Sequence, residues 1–189
     1  MRKNIKIASI LGCIALICAL LIALVNMLTS NIIKENNAKK ELDTIQAIFE
    51  NYDQDKSLVL KSNDSYIEKK VKANDKDGNL LGYLYTVSGK NAYGSISLMV
   101  AIVDDSVYQV EFLSNDQSFA STVYSYLKTS YPSSVDTAVH VGAYKADDVN
   151  VGSLSKTEVE SMDVSCGATY GATLIKNLVL AALNDGREA

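Results

Sequence analysis

The chain has 189 residues, with 18 Lys or Arg against 22 Asp or Glu and a net charge of −4. The charges are interspersed and form no basic stripe, which argues against nucleic acid as a partner. One proline, three cysteines and no repeating period exclude a proline-rich linker, a disulfide framework and a solenoid.

Residues 7–28 contain no charged side chain. As a helix that run is about 33 Å long, enough to cross a hydrocarbon core of about 30 Å. Arg2, Lys3 and Lys6 precede it, which favours a cytoplasmic N-terminus and an extracytoplasmic domain. Lys34, Lys39 and Lys40 on the far side weaken that asymmetry. A cleavable signal peptide has a shorter apolar core and a small-residue cleavage site, whereas Asn26-Met27-Leu28 is a poor one. A lipoprotein signal ending at Cys13 would leave apolar residues running well past the cysteine. The expected division is a cytoplasmic N-terminus over 1–6 and a transmembrane helix over 7–28. A juxtamembrane helix and linker are expected over 29–55, then one extracytoplasmic domain over 56–189.

Ala38, Leu42, Ile45 and Phe49 make one apolar stripe at helical spacing, so a second helix is expected to start at Ser30 or Asn31. Loose alternation over 65–73, the turn residues Asp75 to Asn79 and the aromatic-aliphatic run 80–88 read as a hairpin. Gly89 to Gly94 reads as a loop. Residues 96–103 and 107–113 read as a second hairpin around Asp104-Asp105. About four strands with short connections imply an antiparallel sheet.

A helix is expected over 119–131, stopped by Pro132. Residues 139–144 read as a strand and 155–161 as a short helix. Residues 170–184 carry Leu174, Leu178, Ala181 and Ala182 near helical spacing, closed by Gly186. Strands succeeded by helices give an α+β class: one N-terminal transmembrane helix, then a mostly antiparallel sheet packed with helices.

The stretch Asp163-Val164-Ser165-Cys166-Gly167-Ala168-Thr169 precedes that last helix. Small residues at a helix start leave backbone N–H groups open to an anion. Ser165 and Thr169 add hydroxyls, and Gly167 permits close approach. An ordinary N-cap with a tight turn explains the same residues, so physics leaves both readings open.

The stretch resembles the flavin-attachment motif of the FMN-binding domain family: Asp, two residues, Ser or Thr, then Gly-Ala-Thr. That family includes the G subunit of the Rnf ion-translocating oxidoreductase and the C subunit of the sodium-pumping NADH:quinone oxidoreductase. The run Leu81-Gly82-Tyr83-Leu84-Tyr85-Thr86-Val87-Ser88-Gly89-Lys90 resembles the family's glycine- and tyrosine-rich strand. Tyr93-Gly94-Ser95-Ile96 and the strand from Leu98 to Val103 resemble the family's next element. Size and layout, with one N-terminal transmembrane helix, are most similar to the Rnf G subunit.

The resemblance implies covalent FMN, joined by a phosphoester to Thr169 after transfer from FAD by a separate FAD:protein FMN transferase. It implies an electron-transfer subunit among other membrane subunits of an ion-translocating complex. Asp163, Ser165, Cys166, Gly167 and Ala168 become cofactor-binding candidates, with Tyr93, Gly94 and Tyr170 beside them. No catalytic residue and no metal ligand are expected. Two departures stand out. Cys166 occupies a Ser or Thr position, and Asn115-Asp116-Gln117-Ser118-Phe119 replaces the family's Glu-Thr-Pro-Gly segment.

Gly-Ala-Thr occurs twice, at 167–169 and 171–173, but only Thr169 has an aspartate six residues before it. Thr173 would lie one turn inside the helix. A Cys166–His140 thiol pair is weakly supported. Asp104-Asp105 and Asp147-Asp148 lack calcium-loop spacing and read as turns. Two other functions remain open: a stand-alone flavinylated surface protein for extracellular electron transfer, and a non-redox membrane-tethered binding module.

Overall fold

A computed structural model describes residues 2–134 and 149–185. The expected strand over 139–144, His140, Asp147-Asp148 and the closing Gly186 lie outside the described residues. The chain divides into two units, residues 1–42 and 43–189.

The first unit is helical. Helix α1 runs unbroken over Arg2–Ile48, so no second helix starts at Ser30 or Asn31. No glycine or proline occurs between 13 and 48 to stop it. The Thr29 and Ser30 hydroxyls donate back to Val25 O at 2.8 Å and Met27 O at 3.2 Å. Spent on the preceding turn, they do not cap a new one. The segment is long and apolar enough to cross a membrane, and its Ile, Leu, Val and Met side chains from Ile10 to Leu28 are exposed.

The second unit is α+β. Strands β1 (Asp53–Leu60), β2 (Ile67–Asn74), β3 (Leu80–Asn91), β4 (Gly94–Val103), β5 (Ser106–Asn115) and β6 (Leu154–Ser155) form one sheet in sequence order. Every neighbouring pair is antiparallel. Strands β1 and β6 go beyond the four expected. The β4–β5 turn is the expected one: Asp104 and Asp105 take φ of 49° and 62° between the paired Val103 and Ser106. Two consecutive left-handed residues match the twist of a two-residue hairpin.

The expected loop over 89–94 is instead mostly strand, since β3 continues to Asn91, which pairs with Gly94. Gly89 is a close-approach residue, not a turn residue. A Cβ there would lie 2.8 Å from Leu174 Cδ1.

Strand β4 reads as a nearly continuous apolar run because both its faces are covered. Leu98, Val100 and Ile102 join Tyr85 and Val87 beneath the helices. Met99 and Ala101 join Leu84, Val71, Ile45, Ile48 and Phe49 on the other face. Helices α2 (Ala120–Ser130), α3 (Lys156–Ser161) and α4 (Thr169–Asn184) match the expected positions closely. Helix α2 ends just before Pro132, whose carbonyl accepts from Val110 N at 2.7 Å. Helix α3 starts with a reciprocal Ser155–Glu158 capping box.

Helix α4 is the most firmly seated of the three. It buries Ile175, Leu178 and Val179 completely, at about 1.5–3 kcal/mol each. Beyond its last turn, Asp185 pairs with Lys70 of β2 at 2.8 Å. Lys70 is 2% exposed. Burial pushes its pKa down, but Asp185 and Tyr85 outweigh that and hold it above the ordinary lysine value. The helix is thus held along its middle and at its C-terminal end.

Candidate functional site

Three segments meet at the N-terminus of α4. The β3–β4 turn brings Tyr93. Residues 116–119, between β5 and α2, bring Gln117 and Phe119. The third segment is the 167–171 stretch itself. Together with Val123 they line a cleft of about 240 Å³.

Gly94 makes the first junction possible. Its φ is +137°, and a Cβ there would lie 2.1 Å from Asp116 O. The two segments are then strapped together. Asp116 N donates to Ser95 O at 2.9 Å and Ser118 N to Tyr93 O at 2.9 Å. The Asn91 side chain accepts from Tyr93 N at 2.8 Å and donates to Tyr170 O at 3.1 Å, joining the turn to α4. Tyr93 and Tyr170 face each other with ring centroids 5.2 Å apart and planes inclined by 39°. Both rings are exposed, as is Phe119. Three exposed aromatic rings around a concave, apolar floor are a surface for a flat ligand.

The loop leading into α4 is held from below. Tyr126 Oη donates to Asp163 O at 3.0 Å. Lys176 Nζ donates to Glu160 O at 2.7 Å and Met162 O at 3.0 Å. Asp163 is exposed and accepts from Ser165 N at 2.8 Å. That bond, with the Lys176 charge nearby, holds its carboxyl below the ordinary aspartate value. A depressed pKa means the stabilisation is complete at neutral pH and is lost as pH falls below about 3.9. Melting temperature is therefore expected to fall more steeply between pH 5 and 3 in the native protein than in Asp163→Asn, which keeps the Ser165 acceptor but does not titrate. Equal slopes would remove Asp163 from this role.

The sequence-derived residues divide into three groups. Tyr93, Gly167, Ala168, Thr169 and Tyr170 line the cleft. Asp163 and Ser165 shape the approach without lining it, and Gly94 sets the turn. Cys166 is half-buried and packs against the main core. Thr169 is exposed at the first residue of α4, its Oγ1 donating to Cys166 O at 2.9 Å. Neither Ser165 nor Thr169 caps the helix. The N-cap position is Ala168, with no side-chain cap bond. Thr173 is half-buried inside α4.

Sequence reasoning missed Gln117, Phe119, Val123 and Gly171 as lining residues. The signal lay in segment 115–119, which departs from the family pattern but occupies the cleft. Gln117 is 6% exposed and its Nε2 has no hydrogen-bond partner among the described residues. A buried unpaired donor costs about 1–3 kcal/mol, which a ligand acceptor would recover. The aromatic rim, the small residues 167–168 and the helix N-terminus also suit a phosphate-bearing flat cofactor. Gly171 and Ala172 make the first intrahelical bonds, to Ala168 O, which leaves the earlier N–H groups for an anion.

Residues 1–48 match the family model of the RnfG N-terminal region. No curated protein matches the chain. The matched stretch is α1, whereas the cleft lies in the remainder. The chain resembles the Rnf G subunit in this N-terminal region.

Proposed function

On the premise of that resemblance, we propose that the chain is a single-pass membrane electron-transfer subunit carrying covalent FMN on Thr169. It works in an Rnf-type ion-translocating oxidoreductase, with the N-terminus cytoplasmic and the domain over 56–189 extracytoplasmic. The observation that carries this reading is the exposed Thr169 hydroxyl at the mouth of a cleft rimmed by Tyr93, Phe119 and Tyr170.

A threonine hydroxyl is a weak nucleophile and needs an external base. The FAD:protein FMN transferase provides that activation. As the Thr169 Oγ1–phosphorus bond forms, the pyrophosphate bond of FAD breaks, AMP leaves and the hydroxyl proton passes to the transferase's base, so the hydrogen bond to Cys166 O ends. The phosphate then sits at the N-terminus of α4, where the helix dipole favours negative charge. No charged side chain lines the cleft among the described residues, so backbone N–H groups carry this interaction.

Bound FMN supplies one- and two-electron exchange, which suits a relay between unlike carriers. Tyr93, Phe119 and Tyr170 provide faces on which the ring system packs, and Val123 and Ala168 keep water from the floor. A covalent tether keeps the effective concentration high without a tight pocket, and α1 keeps the tether beside partners in the same bilayer.

The test is in-gel fluorescence after denaturing electrophoresis of protein co-expressed with the transferase. A fluorescent band at the mass of the chain is expected. A dark band, with Thr169 intact and the transferase active on a control substrate, would sink the proposal.

A further inference from the structure

We propose that the Gln117 side chain is a ligand-binding donor in this cleft and selects a flat ring with hydrogen-bond acceptors on one edge. The inference deepens the flavin reading and rests on it for the identity of the ring. Gln117 is buried, lines the cleft and has an Nε2 without a partner among the described residues. Buried donors without partners are rare in folded proteins and call for an explanation.

The backbone position of Gln117 is built, not incidental. Gln117 N donates to Asn115 Oδ1 at 3.3 Å. The residues on either side are bonded to Ser95 and Tyr93 carbonyls, each at 2.9 Å. The backbone carrying Gln117 therefore belongs to the same strap that places the Tyr93 ring. A donor carried on this strap, in a cleft whose rim offers aromatic faces, suits an uncharged acceptor on the edge of a planar aromatic group. The pyrimidine edge of an isoalloxazine, with its two carbonyls and ring nitrogens, has that chemistry.

Size orients the ring further. About 240 Å³ is below the range of about 300–1,000 Å³ that encloses a whole ligand. The cleft takes the pyrimidine end and leaves the benzenoid end outside, where an electron-transfer partner reaches it. The phosphoryl end of the cofactor lies at Thr169, on the same rim, so the tether and the donor act on one molecule.

The test uses the full-length protein in detergent, made without the transferase so that Thr169 is bare, and titrated with riboflavin. Riboflavin carries the ring but no phosphate, and its fluorescence is quenched on stacking. The native chain is expected to quench it. Gln117→Leu and Gln117→Glu, the latter replacing the donor by an acceptor in nearly the same shape, are expected to bind at least tenfold more weakly. Gln117→Leu should melt at or above the native temperature, because it removes an unpaired polar group; a purely structural role predicts a lower melting temperature.

Riboflavin binding unchanged in both variants, or no quenching by the native chain, would overturn the inference. If Gln117→Leu does not fold, Gln117→Glu decides. The covalent reading fails separately. Gln117-dependent riboflavin binding without FMN mass gain in the presence of the transferase removes only the attachment, whereas mass gain without Gln117 dependence removes only the donor.

Discussion

Thr169→Val will abolish covalent flavin while leaving the domain folded. The intact mass of protein co-expressed with the transferase is expected to rise by one FMN in the native chain and in Thr173→Val, and not at all in Thr169→Val. The substitution keeps the shape of the side chain and removes only the nucleophilic oxygen. Its described hydrogen bond goes to the Cys166 carbonyl, on an exposed surface, so the stability cost is about 0.5–1.5 kcal/mol at most. That separation of effects makes the result informative, because lost attachment cannot be blamed on lost fold. Thr173 is the internal control. It belongs to the second Gly-Ala-Thr, but it lies half-buried within α4, where a transferase would have to unwind a turn to reach it. FMN mass on a Thr173 peptide would move the site and overturn the choice.

The second large effect is structural and acts on the cleft from outside it. Gly94→Ala is expected to destabilise the domain by about 2–6 kcal/mol, from a disfavoured backbone conformation and a forced displacement together. The new Cβ would lie 2.1 Å from Asp116 O and 2.8 Å from Asp116 C. Both are backbone atoms, so no flexible side chain can give way. Relief requires segment 116–119 to move off the β3–β4 turn, breaking the bonds to Ser95 and Tyr93 and carrying Gln117 with it. At about 2–4 °C per kcal/mol, thermal melting resolves the change readily. Gly152→Ala serves as the comparison, since its nearest described contact is an ordinary 3.6 Å to Asn150 Oδ1. Equal melting temperatures for Gly94→Ala and the native chain would show that the strap is not what holds the cleft together.

These two positions illustrate different kinds of legibility. Thr169 is visible in the chain because the motif around it is short and local. Gly94 reads in the chain as a loop glycine and, by resemblance, a cofactor-binding candidate, although its larger role is to let a strand pass against Asp116. Gln117 and Phe119 stand out only as a departure from the Glu-Thr-Pro-Gly pattern. Their place in the cleft depends on the β3–β4 turn reaching residues 116–118, contacts between residues that are distant in sequence.

The same division runs through the fold. Sequence alone determined the apolar N-terminal run, the Asp104-Asp105 hairpin, the short helix α3, the α2 stop before Pro132 and the stretch leading into α4. Each depends on neighbours within a few positions, through side-chain period, turn conformation or capping. Only the tertiary structure decided that Gly89 lies in a strand, because it pairs with Ile96 of β4. It also decided that β1 exists. That strand opens with Asp53-Gln54-Asp55-Lys56, is mostly exposed and is held by pairing with β2. Strand β6 has only two residues and takes its register from β5. The continuity of α1 joins them: polar residues at 29–31 read as a boundary, yet with no breaker and with hydroxyls bonded backward, the helix continues to Ile48. Local chemistry sets what each segment can become, and long-range packing chooses among those states, because burial and strand pairing contribute more than propensity does.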